Sequence, residues 1–417
     1  MEIKELLEEL YSYSFFGIKL GLDNIKKICE SLDNPQEKYK IIHVSGTNGK
    51  GSTSTMIEKA LLYAGKKVGK YTSPHIIKFN ERIRANGKDI SDEKIAEIYL
   101  KVKEAIKGID IKPTFFEVTT AMMFLYFAEE NVEYAILEVG MGGRFDATNV
   151  ANGDITIVTN VSVEHTEYLG DNVYDIAVEK AGIIKDKSRV IVGDTDEDFL
   201  KAVYERRSED KVINVIKKYK DVSYELDFKN FTTKVFLEKE NYILSLFGDY
   251  QVKNFLCAYE ALKILNIDKE KIKKAMRDVV WQCRFEIYSR NPLTILEGAH
   301  NIDGMNNLKK IVSHGYNKNE IVIIVSILKD KKIKQMLEIC QEISDKIIVT
   351  SLKENKRGLL GEELFNYTNK ENVVVKEDMG EAYLLSKKIL EKDKNKKAVI
   401  ICGSFYTCEK FKNTFKF

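Results

Sequence analysis

The chain has 417 residues, 44% of them hydrophobic and 31% charged, so it can bury a sizeable core and has room for two or three domains. Sixty-six basic against 64 acidic residues leave a net charge of +2, which removes any general electrostatic case for binding nucleic acid or a membrane surface. No run approaches the roughly 18 apolar residues of a membrane span. Met1-Glu2-Ile3-Lys4-Glu5 lacks a signal-peptide apolar region, and the six cysteines are scattered without a C-x-x-C pair. A cytoplasmic protein with buried free thiols is expected, and a zinc site is not.

Taken in order, residues 1–39 read as amphipathic helix with a turn at Asp33-Asn34-Pro35. A strand over 40–45 then breaks into Gly46-Thr47-Asn48-Gly49-Lys50-Gly51-Ser52-Thr53. A helix follows, with Met56, Ile57, Ala60, Leu61 and Ala64 at three- and four-residue spacing. Strand, glycine loop and helix together make a phosphate cradle. Glycines bring backbone N–H groups close to an anion, the helix N-terminus adds partial positive charge, and Lys50 can reach the terminal phosphates. Ser52 or Thr53 can offer a hydroxyl to Mg²⁺. The loop is more compressed than G-x-x-x-x-G-K-[ST], with two residues between Gly46 and Gly49 and a glycine between Lys50 and Ser52.

Further strands are expected at 67–71, 134–139, 155–159 and 189–192, with helices at 92–107, 116–129 and 174–185 and a loop over 76–92. This alternation implies a mostly parallel sheet with helices on both faces and chemistry at the strand C-termini. Period-two runs at 222–226, 233–237 and 241–246 read as an antiparallel appendage, followed by helices at 250–265 and 268–280. A second α/β series has strands near 293–296, 321–326, 346–350, 372–375 and 398–401. The expected architecture is α/β. Residues 1–290 form a P-loop domain with a mostly parallel sheet and a small antiparallel appendage; residues 291–417 form a Rossmann-like domain.

Four single residues carry chemistry. Glu138 closes an apolar strand beside the phosphate loop, where an acid can hold Mg²⁺; a surface glutamate at a strand end is the plainer alternative. His165 follows a strand in a polar loop, as a metal ligand or as a structural histidine. Lys180 shares a helical face with Ile176, Ala177, Ala181 and Ile184. A lysine there is costly as a cation, so its pKa should fall and its amine become open to modification; a packed stem with the head reaching solvent is the alternative. Arg284, near the domain junction, can bind phosphate or make an ion pair.

Several stretches together resemble folylpolyglutamate synthase and the bifunctional dihydrofolate synthase, members of the Mur ligase superfamily. They are Gly46 to Ser52, Tyr71-Thr72-Ser73-Pro74-His75, Glu138 to Asn149, Glu179-Lys180-Ala181-Gly182-Ile183, Gly248 to Asn254, Arg284-Phe285-Glu286, Gly298-Ala299-His300-Asn301 and Gly403-Ser404-Phe405-Tyr406. The resemblance spans both domains in order and accounts for the compressed loop. It implies an ATP-dependent amide ligase that adds L-glutamate to a folate or to dihydropteroate, uses two Mg²⁺ ions, and works as a monomer without nucleic acid or membrane.

By the same resemblance, Thr47, Asn48, Gly49, Lys50, Gly51 and Ser52 hold ATP, with Lys50 on the β/γ-phosphates. Asn254 lies near the adenine and Arg284 on the phosphates. Ser52 and Glu138 hold the first Mg²⁺; His165 and Lys180, as a carbamate, hold the second. Lys50, Lys180, His165 and Arg284 are the implied catalytic set. Ser73, Arg82, Asp146, Glu297, His300 and Ser404 are candidate substrate contacts, with an omega loop after Ser73 near the pterin. The chain departs from the family pattern at Glu164 and Glu297, where aspartate is usual, and at Tyr250, where histidine is common. Two rivals stand beside this reading. One is a Mur-type amide ligase acting on a non-folate carboxylic acid. The other is a GTP-dependent switch, for which Asn317-Lys318-Asn319-Glu320 is only a near miss to N-K-x-D.

Overall fold

The computed structural model describes residues 3–13, 21–163, 169–369 and 371–415. The chain divides into two compact units. The first comprises Met1–Ser223, Val235–Ile243 and Gln251–Val279; the second comprises Tyr224–Lys234, Leu244–Tyr250 and Val280–Phe417.

Among the described residues, eight strands form the sheet of the first unit. They are β1 (Lys40–Ser45), β2 (Val68–Tyr71), β3 (Ile83–Ala85), β4 (Lys88–Asp89), β5 (Tyr134–Glu138), β6 (Ile155–Val158), β7 (Arg189–Val192) and β8 (Val212–Asn214), in the order β4-β3-β2-β5-β1-β6-β7-β8. Pairing is parallel from β2 through β8, and antiparallel at β2–β3 and β3–β4. The central strands are buried along nearly their whole length, which explains why they read as continuous apolar runs rather than alternating ones. The helix Phe115–Glu129 is bracketed by a capping box in which Thr114 and Glu117 satisfy each other's backbone N–H.

Several elements of the first unit differ from the sequence reading. The loop expected over 76–92 contains a 3₁₀ turn (Phe79–Arg82) and the short β3–β4 hairpin around Asn86-Gly87. The helix expected over 174–185 is Val173–Ala181, ending before Gly182. Strand β8 was not expected, being three residues long and only partly buried.

The period-two runs form β9 (Ser223–Asp227), β10 (Thr232–Leu237) and β11 (Glu240–Leu244), in the order β11-β10-β9. Connections this short suit hairpins alone. The sheet of the second unit is β12 (Glu286–Arg290), β13 (Leu293–Leu296), β14 (Ile321–Val325), β15 (Ile347–Val349), β16 (Val373–Val375) and β17 (Ala398–Cys402), in the order β12-β13-β17-β14-β15-β16. It is parallel except for β12, which pairs antiparallel with β13. The sequence did not signal β12 because its side chains are all partly exposed and two of its five residues are charged. All six cysteines are free and buried, as expected. No helix among the described residues is long and apolar enough to cross a membrane.

Candidate nucleotide and ligase site

In the first unit the site is built at the C-terminal ends of β1, β5 and β6. The chain leaves β1 at Ser45 and turns through Gly46 at φ +138° and Gly49 at φ +86°, a region closed to most side chains. A Cβ on Gly46 would collide with Thr159 Oγ1, and one on Gly49 with Asn254 Oδ1. The loop is tied to the chain beyond β6. The Thr47 N–H donates to the Asn160 carbonyl (3.0 Å), the Asn48 N–H to Asn160 Oδ1 (2.9 Å), and Thr159 Oγ1 to the Asn48 carbonyl (2.7 Å). Lys50 Nζ folds back onto the loop, donating to the carbonyls of Gly46 (2.8 Å) and Thr47 (3.1 Å). Gly49 caps the helix Lys50–Tyr63, and Ser52 Oγ is buried in its first turn without a hydrogen-bond partner among the described residues.

Gly49→Ala is therefore expected to strain the loop by about 1–3 kcal/mol and to displace Asn254. Calorimetric titration with ADP should show affinity reduced at least tenfold relative to the wild type.

Glu138 closes β5 with 5% of its surface exposed, and Oε2 accepts the Ser73 N–H at 3.3 Å. The glycine loop after it is held by Asp146. Oδ2 accepts from the N–H groups of Gly140 (2.9 Å) and Met141 (3.0 Å), and Oδ1 from Thr148 N (3.0 Å) and Oγ1 (2.5 Å). Burial raises the Asp146 pKa against the pull of these donors. Because the Thr148 hydroxyl donates to Asp146, it accepts from the Nε2–H of buried His43, 2.8 Å away. Burial, with the Lys185 charge added, lowers the His43 pKa to about 3.

Unfolded His43 binds a proton that folded His43 refuses, so stability falls as pH drops from about 6.5 towards 3, at up to roughly 1.4 kcal/mol per pH unit. Denaturant titrations of wild type and His43→Gln should show this extra acid sensitivity in the wild type alone.

Lys180 lies near the end of its helix, 1% exposed, with Ile176, Ala177 and Ala181 buried beside it. The Arg144 N–H donates to the Glu179 carbonyl at 2.8 Å, joining this helix to the loop after Glu138. The 73–82 segment is organised by Glu81, whose carboxylate accepts from the N–H groups of Ile76 (2.7 Å), Ile77 (2.8 Å) and Lys78 (2.8 Å). Arg82 Nε donates to His75 Nδ1 at 2.8 Å, and its guanidinium lies over the Phe115 ring. Burial, with Arg82 adding to it, lowers the His75 pKa to about 4, which keeps that nitrogen an acceptor at neutral pH. Asn254 donates from Nδ2 to Gln251 Oε1 (2.9 Å). His165 lies outside the described residues.

The second unit gathers its own cluster at the C-terminal ends of β13 and β17. Arg284 Nη1 is 3.7 Å from Glu297 Oε1, and its guanidinium lies 4.6 Å from the Phe405 ring centroid. Glu297 Oε2 accepts the Phe285 N–H at 2.9 Å; burial raises its pKa, with Arg284 opposing. His300 Nδ1 lies 3.0 Å from the Gly298 carbonyl, and its ring packs on Phe405. Ser404 caps the helix Phe405–Thr414, accepting the Thr407 N–H at 3.0 Å. Asp146 and Ser404 thus have capping work that spacing did not reveal.

Within the first unit, the structure brings the loop residues 47–52 together with Asn254, and Ser73 with Glu138. Arg284, Glu297, His300 and Ser404 gather within the second. Among the described residues no three His, Cys, Asp or Glu side chains form a metal-ligand group. The implied ligand set contains only Glu138 of those types among the described residues.

The Mur ligase middle domain matches residues 44–262, and the Mur ligase glutamate ligase domain matches residues 283–405. The dihydrofolate synthase/folylpolyglutamate synthase of Bacillus subtilis is 33% identical over 411 residues, covering 94% of each chain. The structure of Mycobacterium tuberculosis folylpolyglutamate synthase complexed with ADP and AMPPCP matches with a TM-score of 0.88 at 25% identity, over 99% of this chain and 98% of that one. A bifunctional folylpolyglutamate synthase/dihydrofolate synthase from Yersinia pestis, complexed with AMPPNP and a Mn ion, matches with a TM-score of 0.83 at 26% identity, over 99% and 98%. The chain belongs to the Mur ligase family and, within it, to the folylpolyglutamate synthase/dihydrofolate synthase group.

Proposed function

We propose that this chain is an ATP-dependent ligase that joins L-glutamate to a carboxylate of a folate. The observation that carries the reading is the match along almost the whole chain to a dihydrofolate synthase/folylpolyglutamate synthase. The γ-phosphoryl group of ATP passes to a carboxylate oxygen, giving an acyl phosphate and ADP. The glutamate nitrogen then attacks the acyl carbon, the C–O bond to phosphate breaks, and the amine proton is released. Carboxylates are poor electrophiles, so the first transfer supplies the activation. Phosphoryl transfer asks the protein for positioning and for charge stabilisation.

Lys50 and the N–H groups of its loop supply positive charge to the phosphates once Lys50 exchanges the Gly46 and Thr47 carbonyls for them. Arg284 is the phosphate-binding cation of the second unit. The unpartnered, buried Ser52 hydroxyl and the buried Glu138 carboxylate are oxygen donors that fit a Mg²⁺ ion. When bound, the ion neutralises charge on the phosphate oxygens. The reading extends to a second Mg²⁺ with His165 and a carbamate on Lys180 as ligands. The burial of Lys180 beside Ile176, Ala177 and Ala181 supports that role, since burial disfavours the cation and carbamate formation needs a neutral amine. Dihydropteroate is included as an acceptor, and the enzyme is taken to be a cytoplasmic monomer.

Incubation with ATP, Mg²⁺, L-glutamate and either tetrahydrofolate or dihydropteroate tests the substrate class. Glutamate-dependent phosphate release is expected with at least one of them. Release with neither, but with another carboxylic acid, would move the chain to a Mur-type ligase of different specificity.

A further inference from the structure

Glu58 lies on the helix that follows the phosphate loop, beyond Ser52, and is buried. Two cations reach it from neighbouring strands. Lys70 Nζ of β2 is 2.8 Å from Glu58 Oε2, and Arg84 Nε of β3 is 3.6 Å from Oε1. Lys70 and Arg84 are direct cross-strand partners. The segment 73–82 leaves the sheet just after Lys70 and returns just before Arg84, so both cations stand at its stem. Lys70 also donates to Thr55 Oγ1 at 3.1 Å, and Arg84 continues to Asp89 Oδ1 at 3.1 Å. Lys70 is fully buried, and burial lowers its pKa against the pull of Glu58.

A buried ion pair is a poor device for stability alone, because desolvation offsets most of the attraction, whereas removing one partner is costly. The same asymmetry makes it a stiff link: if Glu58 moves with its helix, buried Lys70 loses its 2.8 Å carboxylate contact unless β2 follows, while Arg84, partly exposed, keeps Asp89. We propose that the Glu58–Lys70–Arg84 clasp couples occupancy of the phosphate loop to the 73–82 segment, so that nucleotide and folate binding are energetically linked through it. This rests on the folate reading above, and coupling through such a contiguous network is reciprocal between the two ligands.

The test is calorimetric titration with Mg²⁺-ADP, with and without saturating tetrahydrofolate or dihydropteroate. In the wild type the folate should change the nucleotide Kd by roughly fivefold or more. The volume-conserving double variant Glu58→Gln/Lys70→Met should bind each ligand alone and unfold cooperatively, but the change should shrink to within about twofold. A purely structural clasp would move stability and leave the linkage factor intact, which overturns the proposal. So does a wild type that binds both ligands independently. Should the double variant fail to fold, Arg84→Met decides: it leaves the buried pair in place, and full wild-type linkage in it overturns the proposal. A wild type that binds no folate contradicts the substrate reading itself, a distinguishable result.

Discussion

Lys50→Ala is expected to lower kcat by roughly 10²–10³-fold, the usual effect of removing a preorganised charge from a phosphoryl-transfer site. Thermal stability should change by no more than about 0.5 kcal/mol. The reason lies in what Lys50 touches. Its Nζ donates only to carbonyls of its own loop, at 2.8 and 3.1 Å among the hydrogen bonds described. These bonds do not join separate elements, so truncation leaves the packing of β1 and its helix intact. The loop shape is held independently by Asn160 and Thr159. Steady-state kinetics with ATP as the varied substrate, paired with a melting curve, separates the two effects. A variant that keeps wild-type kcat would remove Lys50 from the chemistry.

Lys180 gives the second large effect. Lys180→Met fills much the same volume on the apolar face and cannot be carbamylated; kcat should fall by roughly 10²–10³-fold. Lys180→Arg should fall as far, since it restores a cation and not an oxygen ligand. If Lys180→Arg retains activity while Lys180→Met loses it, a positive charge is what the site needs. If Lys180→Met retains activity, the carbamate has no place in the mechanism. Enzyme prepared free of carbon dioxide should be sluggish and recover on addition of bicarbonate.

Much of this is legible in the sequence, for physical reasons. A strand that ends in glycines and a lysine ahead of a helical period has few structural solutions, and the loop at Gly46–Ser52 adopts the expected one. The 3.6-residue spacing of Lys180 among apolar neighbours leaves burial and a solvent-reaching head both open, and the structure buries it. What the sequence concealed are relations set by register and by capping. Lys70 and Arg84 become partners only because β2 and β3 pair antiparallel, and nothing in their sequence spacing reveals that both meet Glu58. Strands β8 and β12 and the β3–β4 hairpin are short and partly exposed, so they carry no strong apolar period. Asp146 and Ser404 drew attention as polar residues within motifs, while their hydrogen bonds show how the backbone around them is held.

The central claim is that this chain forms an amide between glutamate and a folate carboxylate at the expense of ATP. Mass spectrometry of the folate recovered after incubation with ATP, Mg²⁺ and L-glutamate reads that bond directly. A product heavier than the starting tetrahydrofolate or dihydropteroate by one or more glutamyl residues is expected, formed only when ATP is present. Recovery of both acceptors at unchanged mass, from enzyme shown to bind nucleotide, would contradict it.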